Sequence, residues 1–241
     1  MIDSHVGFGL AQNPFNELFM WCPGTREKAS PRRFPVLAFT GAPAAFPVQQ
    51  QNLPLQQFVV WQHEWKIRAR TWIQENLPPG PFVGVHLRNG GDWVRACDHV
   101  DKGMEQLFSS PQCLGYRGEH GKLTKELCLP SLSTVARQVR RAAKQVKAVA
   151  VYIASDSDHM LEQLRKELRT TKLTFHRQEG NPPDTHLDLV ILGQSNVFIG
   201  NCVSSFSAFV ARGRAVHGLP SQFFAFNPKS ERGTSRIHTE L

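Results

Sequence analysis

Three clusters of polar side chains stand directly after apolar runs. The run Phe82-Val83-Gly84-Val85 delivers His86, Leu87 and Arg88 into an Asn89-Gly90-Gly91 turn. Val149 to Ala154 is followed by Ser155-Asp156-Ser157, and Val197 to Gly200 by Asn201-Cys202-Val203-Ser204-Ser205-Phe206. A buried strand seldom ends in an imidazole and a guanidinium so close together. Arginine grips phosphate with parallel N–H donors and keeps its charge. Ser204-Ser205 falls at an expected helix start, where unpaired N–H groups and partial positive charge attract anions and hydroxyls add donors. Taken singly, Arg88 is as readily a structural salt bridge, Ser204-Ser205 a plain cap and His86 a buried structural histidine. Together, an arginine leaving one strand and a Ser-Ser helix start leaving another can meet over one diphosphate. Asp156 and Asp188 are acceptors that suit a ribose diol or the N–H edge of guanine; for Asp188, inside an expected helix, an ordinary buried pair is the plainer reading.

These residues need elements to position them. Phe58, Trp61, Trp65, Ala69 and Trp72 recur at helical spacing, so a helix is expected over 58–77, its aromatic stripe facing a core. Pro78-Pro79-Gly80 ends it. A strand is expected over Phe82–Leu87, then a long insertion, 89–130, with three cysteines and turn signals at Ser110-Pro111 and Arg117-Gly118. Insertions of that length are usually functional or stapled. Further helices are expected at 131–147, 158–169, 184–194 and 204–212, and strands at 149–154, 172–176, 197–200 and 221–226. Strand and helix alternate, and the strands are continuously apolar. This predicts an α/β fold: a Rossmann-like parallel sheet with helices on both faces. In such sheets ligands bind beyond the carboxyl ends of strands, which is where all three clusters fall. On residues alone the chain reads as an α/β domain that binds a phosphorylated nucleotide.

The rest of the sequence narrows the classes. The chain has 241 residues, 41% of them hydrophobic and 20% charged, which suits a packed core rather than disorder. No apolar run approaches the roughly 18–20 residues of a membrane span. The formal net charge is +8, a balance that suits an anionic ligand. Its densest cluster, Arg137, Arg140, Arg141, Lys144 and Lys147, shares one expected helix with Val135, Val139 and Val146. That is a solvated face, and without interleaved aromatics it does not argue for nucleic acid. There is no GxGxxG, Walker A or GxSxG pattern. Cysteines stand at 22, 97, 113, 128 and 202, with no CxxC and no zinc spacing; free thiols or disulfides with one cysteine over are both open. Residues 1–56 are rich in Pro, Gly, Gln and Phe and read as an irregular segment and linker, with one short strand at Phe34–Phe39. Residues 57–230 read as the folded domain and 231–241 as a tail. The N-terminus lacks the pattern of a signal peptide.

Several separated blocks carry a family likeness: 36-VLAFTGAPAAFPV-48, 83-VGVHLRNGGDW-93, 109-SSPQCLGY-116, 127-LCLPSL-132, 151-VYIASDSD-158, 188-DLVILGQSNVFIGNCVSSFSAFV-210 and 220-PSQFFAF-226. In order and spacing they resemble the protein O-fucosyltransferase family over roughly residues 34–228. The resemblance implies a domain like the C-terminal, donor-binding half of a GT-B glycosyltransferase, with the family's first domain lacking a counterpart here. It implies inverting transfer of fucose from GDP-fucose to Ser or Thr of EGF-like repeats, as in Notch-type receptors, without an essential metal, a required cofactor or an obvious protein base. Carried over to this sequence, His86, Leu87 and Arg88 match the family's HLR motif, with Arg88 holding the β-phosphate and stabilising charge as GDP leaves. Ser204, Ser205 and Phe206 match the motif that wraps the diphosphate and sugar, Asp188 a nucleotide-contacting acid and Asp156 a further acid nearby. The resemblance also implies Cys97–Cys128 and Cys113–Cys202 disulfides, leaving Cys22 over. The tail His238-Thr239-Glu240-Leu241 resembles a luminal retention signal, so the endoplasmic reticulum lumen is the expected compartment. A non-catalytic module that holds GDP-fucose or an EGF-like repeat is the alternative.

Overall fold

In a computed structural model, residues 56–180 and 183–226 are described. The expected strand at 34–39, Cys22 and the 238–241 tail lie outside them. The described residues belong to one unit, Leu53–Leu241. Its centre is a five-stranded sheet in the order β3-β2-β1-β4-β5: β1 (Phe82–Leu87), β2 (Ala150–Ser155), β3 (Thr174–His176), β4 (Val197–Gly200) and β5 (Ser221–Phe223). Every pairing is parallel, with Val83 between Val151 and Val197, and Leu87 opposite Ser155. All residues of β1 and β2 are buried, as covering both faces of a parallel sheet requires.

The strand period of two divides the core in two. Val83, Val85 and Leu87 join Val151, Ile153, Val197 and Ile199 on one face. There α5 (Leu132–Val146) packs Val135, Val139, Ala142 and Ala143, one face of a helix capped by the Ser131 hydroxyl. Leu164 of α6 (Leu161–Glu167) completes that layer. Phe82, Tyr152 and Phe198 point the other way, against α1 (His63–Asn76), α7 (Thr185–Gln194) and α8 (Ser205–Ala215). Trp72 of α1 meets Tyr152 edge to face, 5.0 Å between ring centres.

The aromatic stripe is shorter than expected. Trp61, Trp65 and Trp72 pack on the second face, but Phe58 is 69% exposed. It sits in a 3-10 turn ahead of the helix, which begins only after the extended Gln62. The insertion is not a bare loop. It holds α2 (Gly91–Cys97), a 3-10 turn (Val100–Lys102), α3 (Pro111–Leu114) and α4 (Lys125–Cys128). These pack a small core of their own around Trp93, Leu114 and Leu127, in which Cys97 pairs with Cys128 and Cys113 with Cys202.

Candidate functional site

The carboxyl ends of β1, β2 and β4 share one edge of the sheet. β1 places His86 and Leu87 on opposite faces. Leu87 is 2% exposed, inside the α5-facing core, so its side chain is turned from the rim. His86 faces α8. Its Nδ1 lies 2.7 Å from the Ser207 hydroxyl, and its ring stacks on Phe206 with 4.4 Å between centres. Burial, with the charge of Arg88 second, pushes the His86 pKa down to about 3, so the ring is neutral at physiological pH.

Arg88 follows in the turn. Its guanidinium holds Asp92 with two contacts, 2.6 and 3.3 Å, and also pairs with Asp156. Its carbon end lies 4.9 Å from the centre of the Trp93 ring. The Arg88 hydrogen bond, foremost among several, holds the Asp92 carboxyl below its usual range. Asp156 does more than pair. Its two oxygens accept the backbone N–H groups of Asn89 and Gly90 at 2.9 and 3.0 Å. Thus both Asp156 oxygens are engaged in shaping the turn that carries Arg88.

At β4 the chain turns through Asn201 and Cys202 into α8. The Ser204 hydroxyl caps the helix by accepting the Ser207 N–H. Ser205 is exposed and Phe206 half-buried, and their N–H groups have no acceptor among the described residues. This is the anion-attracting geometry of a helix start. Gly200 is required behind it: an added Cβ would lie 2.8 Å from the Phe198 ring and from Cβ of Ser207. The loop is tied down three ways. Asn201 donates to the Cys128 carbonyl at 2.7 Å, Gln112 donates to the Cys202 carbonyl at 2.6 Å, and Cys202 is disulfide-bonded to Cys113.

Asp188 stands in the first turn of α7, 5% exposed. One of its oxygens accepts both the Tyr152 hydroxyl and the Gln178 amide, the latter at 2.5 Å. Burial raises its pKa against the pull of those two donors. The second oxygen has no partner among the described residues.

The structure therefore joins His86 to the α8 start and Arg88 to Asp156. Asp188 occupies the sheet face that His86 occupies. Sequence reasoning passed over Asp92, Ser207, Tyr152 and Gln178. Asp92 was discoverable, four residues after Arg88 on a short helix. Tyr152 was hinted at by a phenol inside a buried strand, which needs a partner. Nothing local marks Ser207 or Gln178. Among the described residues no cluster of three or more His, Cys, Asp or Glu side chains could hold a metal ion, and no helix is long and apolar enough to cross a membrane. Two cavities lie elsewhere. One of about 510 Å³ lies between α5 and β5, beside Arg137, Arg141 and Phe226. The other, of about 310 Å³, lies among α1, α7 and α8. Neither of these two is lined by the strand-end clusters.

Residues 10–217 match the sequence profile of the family described as GDP-fucose protein O-fucosyltransferase. The chain belongs to this family. Within the fucosyltransferase family it is 41% identical over 202 residues to GDP-fucose protein O-fucosyltransferase 1 of Caenorhabditis elegans. That alignment covers 82% of this chain and 51% of the relative, so the chain spans about half the length of the curated relative it matches. The fold is shared with solved structures of POFUT1. The complex with GDP-fucose superposes with a TM-score of 0.74 at 39% identity, covering 86% of this chain and 59% of that one. The complex with GDP gives 0.73 at 40% identity, covering 87% and 63%. The parallel α/β sheet expected from the strand and helix alternation is thus the architecture of these fucosyltransferases.

Proposed function

We propose that this chain carries the donor-binding half of a peptide O-fucosyltransferase. In this reading it takes fucose from GDP-fucose to Ser or Thr of EGF-like repeats with inversion. The observation that carries the reading is the meeting of β1 and α8: His86, two residues before Arg88, packs on Phe206 and bonds to Ser207 at the α8 start. Family membership and the nucleotide complexes of POFUT1 support the same assignment.

The roles divide by chemistry. The Ser205 and Phe206 N–H groups and the Ser205 hydroxyl receive the diphosphate, with Ser204 holding the helix start. His86 adds a neutral contact. Leu87 contributes its backbone. The unpartnered oxygen of Asp188 receives donors of the nucleoside. Arg88 takes the β-phosphate, and Asp156 shapes the turn that presents it. As the bond from the anomeric carbon to the diphosphate breaks, negative charge builds on the departing GDP. A fixed cation aimed at that charge stabilises the transition state most, and removing one such donor costs about 100–1,000-fold in rate. Arg88 fills that role without a metal in this scheme. The acceptor hydroxyl oxygen bonds to the anomeric carbon from the opposite face, and its proton is released to solvent. The proposed compartment is the endoplasmic reticulum lumen, where the Cys97–Cys128 and Cys113–Cys202 bridges would persist.

The test is transfer from labelled GDP-fucose to a folded EGF-like repeat, with the repeat's Ser or Thr replaced by Ala as control. Label on the intact repeat alone supports the reading. Donor binding without transfer leaves a non-catalytic binding module in its place.

A further inference from the structure

We infer that Ser207 is a positioning residue, whose hydroxyl donates to Nδ1 of His86 and so fixes the imidazole as the Nε2–H tautomer facing the ligand. The inference rests on the nucleotide-binding reading for its purpose, and on hydrogen-bond accounting for its substance. Ser207 is fully buried, so its hydroxyl has no water to fall back on. A hydroxyl has one proton and two lone pairs. One lone pair of Ser207 accepts the Asn201 N–H at 2.9 Å. The proton then needs an acceptor, and the one atom within reach among the described residues is Nδ1 of His86, at 2.7 Å.

The ring accepts on Nδ1 only if its proton is on Nε2. Burial and the neighbouring Arg88 keep the ring neutral, so a second proton does not intrude. Stacking on Phe206, 4.4 Å between centres and 28° between planes, holds the ring's orientation. Flipping it would set a carbon against the Ser207 oxygen and strand a buried hydroxyl. Nε2 has no hydrogen-bond partner among the described residues. With this tautomer it offers an N–H donor; with the other it would turn a lone pair on the anion. The Ser207 hydroxyl therefore decides whether His86 attracts or repels a phosphate oxygen. Asn201 starts the relay, linking the tautomer to the loop that Cys202 anchors.

The experiment is nitrogen-15 spectroscopy of the histidine-labelled chain without ligand, paired with GDP titration of the same samples. Wild type is expected to show His86 protonated on Nε2 and bare on Nδ1 at neutral pH. Ser207→Ala is expected to show mixed tautomers and about tenfold weaker GDP binding, the size of one net hydrogen bond to a charged group. Ser207→Thr, which keeps the hydroxyl, should restore both. A wild-type ring protonated on Nδ1 would overturn the inference. So would a Ser207→Ala ring with unchanged tautomer and unchanged affinity. If Ser207→Ala does not fold, the wild-type and Ser207→Thr spectra still decide. A wild-type chain that binds no GDP would instead sink the nucleotide-binding reading, while the ligand-free tautomer continues to judge Ser207.

Discussion

Two sides of one rim are built on opposite principles. On the β1–β2 side, Arg88 is a permanent charge, its side chain 25% exposed, held by two carboxylates that water also reaches. On the β4–α8 side, His86 and Ser207 are buried, neutral and joined by hydrogen bonds. Exposed ion pairs are worth little, commonly about 0–1 kcal/mol. Asp92 can therefore yield Arg88 to a phosphate at small cost, while Asp156 keeps the turn in shape through its backbone contacts. Buried hydrogen bonds behave otherwise: breaking one strands its partner. In the proposed scheme a movable cation and a neutral donor, two residues apart on one strand end, serve respectively the charge that develops and the geometry that precedes it.

In a full-length context that carries out the proposed transfer, Arg88→Ala should lower it by about 100–1,000-fold while GDP affinity falls far less and the melting temperature holds. Equal losses in binding and turnover would remove the leaving-group role. Next come the two disulfides, which touch the rim differently. Replacing either pair by Ser should lower stability by about 2–4 kcal/mol. Loss of Cys113–Cys202 should also weaken GDP binding, because it frees the loop ahead of Ser204, whereas loss of Cys97–Cys128 should leave binding nearer to wild type. Denaturant titrations with matched calorimetry separate them.

Smaller effects discriminate between the acids. Asp156→Ala should weaken GDP binding by about tenfold through the lost Asn89 and Gly90 contacts. Asp92→Asn should change it by no more than about threefold, as for an exposed pair. The reverse order would mean that Asp92 holds the cation in place. A further signal is one of pH. The folded His86 pKa, about 3, lies below its ordinary value of 6.5. Between these the unfolded chain binds the extra proton, so the ring's contribution to stability is present above pH 6.5 and is lost as pH falls toward 3. A His86→Gln variant should accordingly lose less stability than wild type between pH 7 and pH 4.

Legibility followed the same division. Strands β1 and β4 were readable to the residue, because each is an apolar run bounded by turn residues and a polar cluster. The helix expected over 158–169 shrinks to Leu161–Glu167 because Met160 takes a left-handed conformation just before it, at φ 53°. The helix expected over 204–212 runs on to Ala215. There Arg214, 1% exposed, donates to the carbonyls of Leu192, Gly193 and Ser195 and anchors the last turn. The insertion's short helices, such as Pro111–Leu114, are too brief for periodicity to reveal. His86 and Arg88 could be picked out because strand ends announce themselves. Ser207 could not, since its partner lies 121 residues away and depends on how β1 and α8 dock. Asp156 was recognisable as an acid at the rim, but its engagement with two backbone N–H groups is a matter of turn geometry that spacing does not carry.

Calorimetric titration of GDP into the chain, in the presence of a chelator, decides whether this rim receives a nucleoside diphosphate. Saturable one-to-one binding, weakened in Arg88→Ala and in Ser205→Pro, is the predicted result. Absence of binding at roughly millimolar GDP, the weak end of the useful affinity scale, would contradict it.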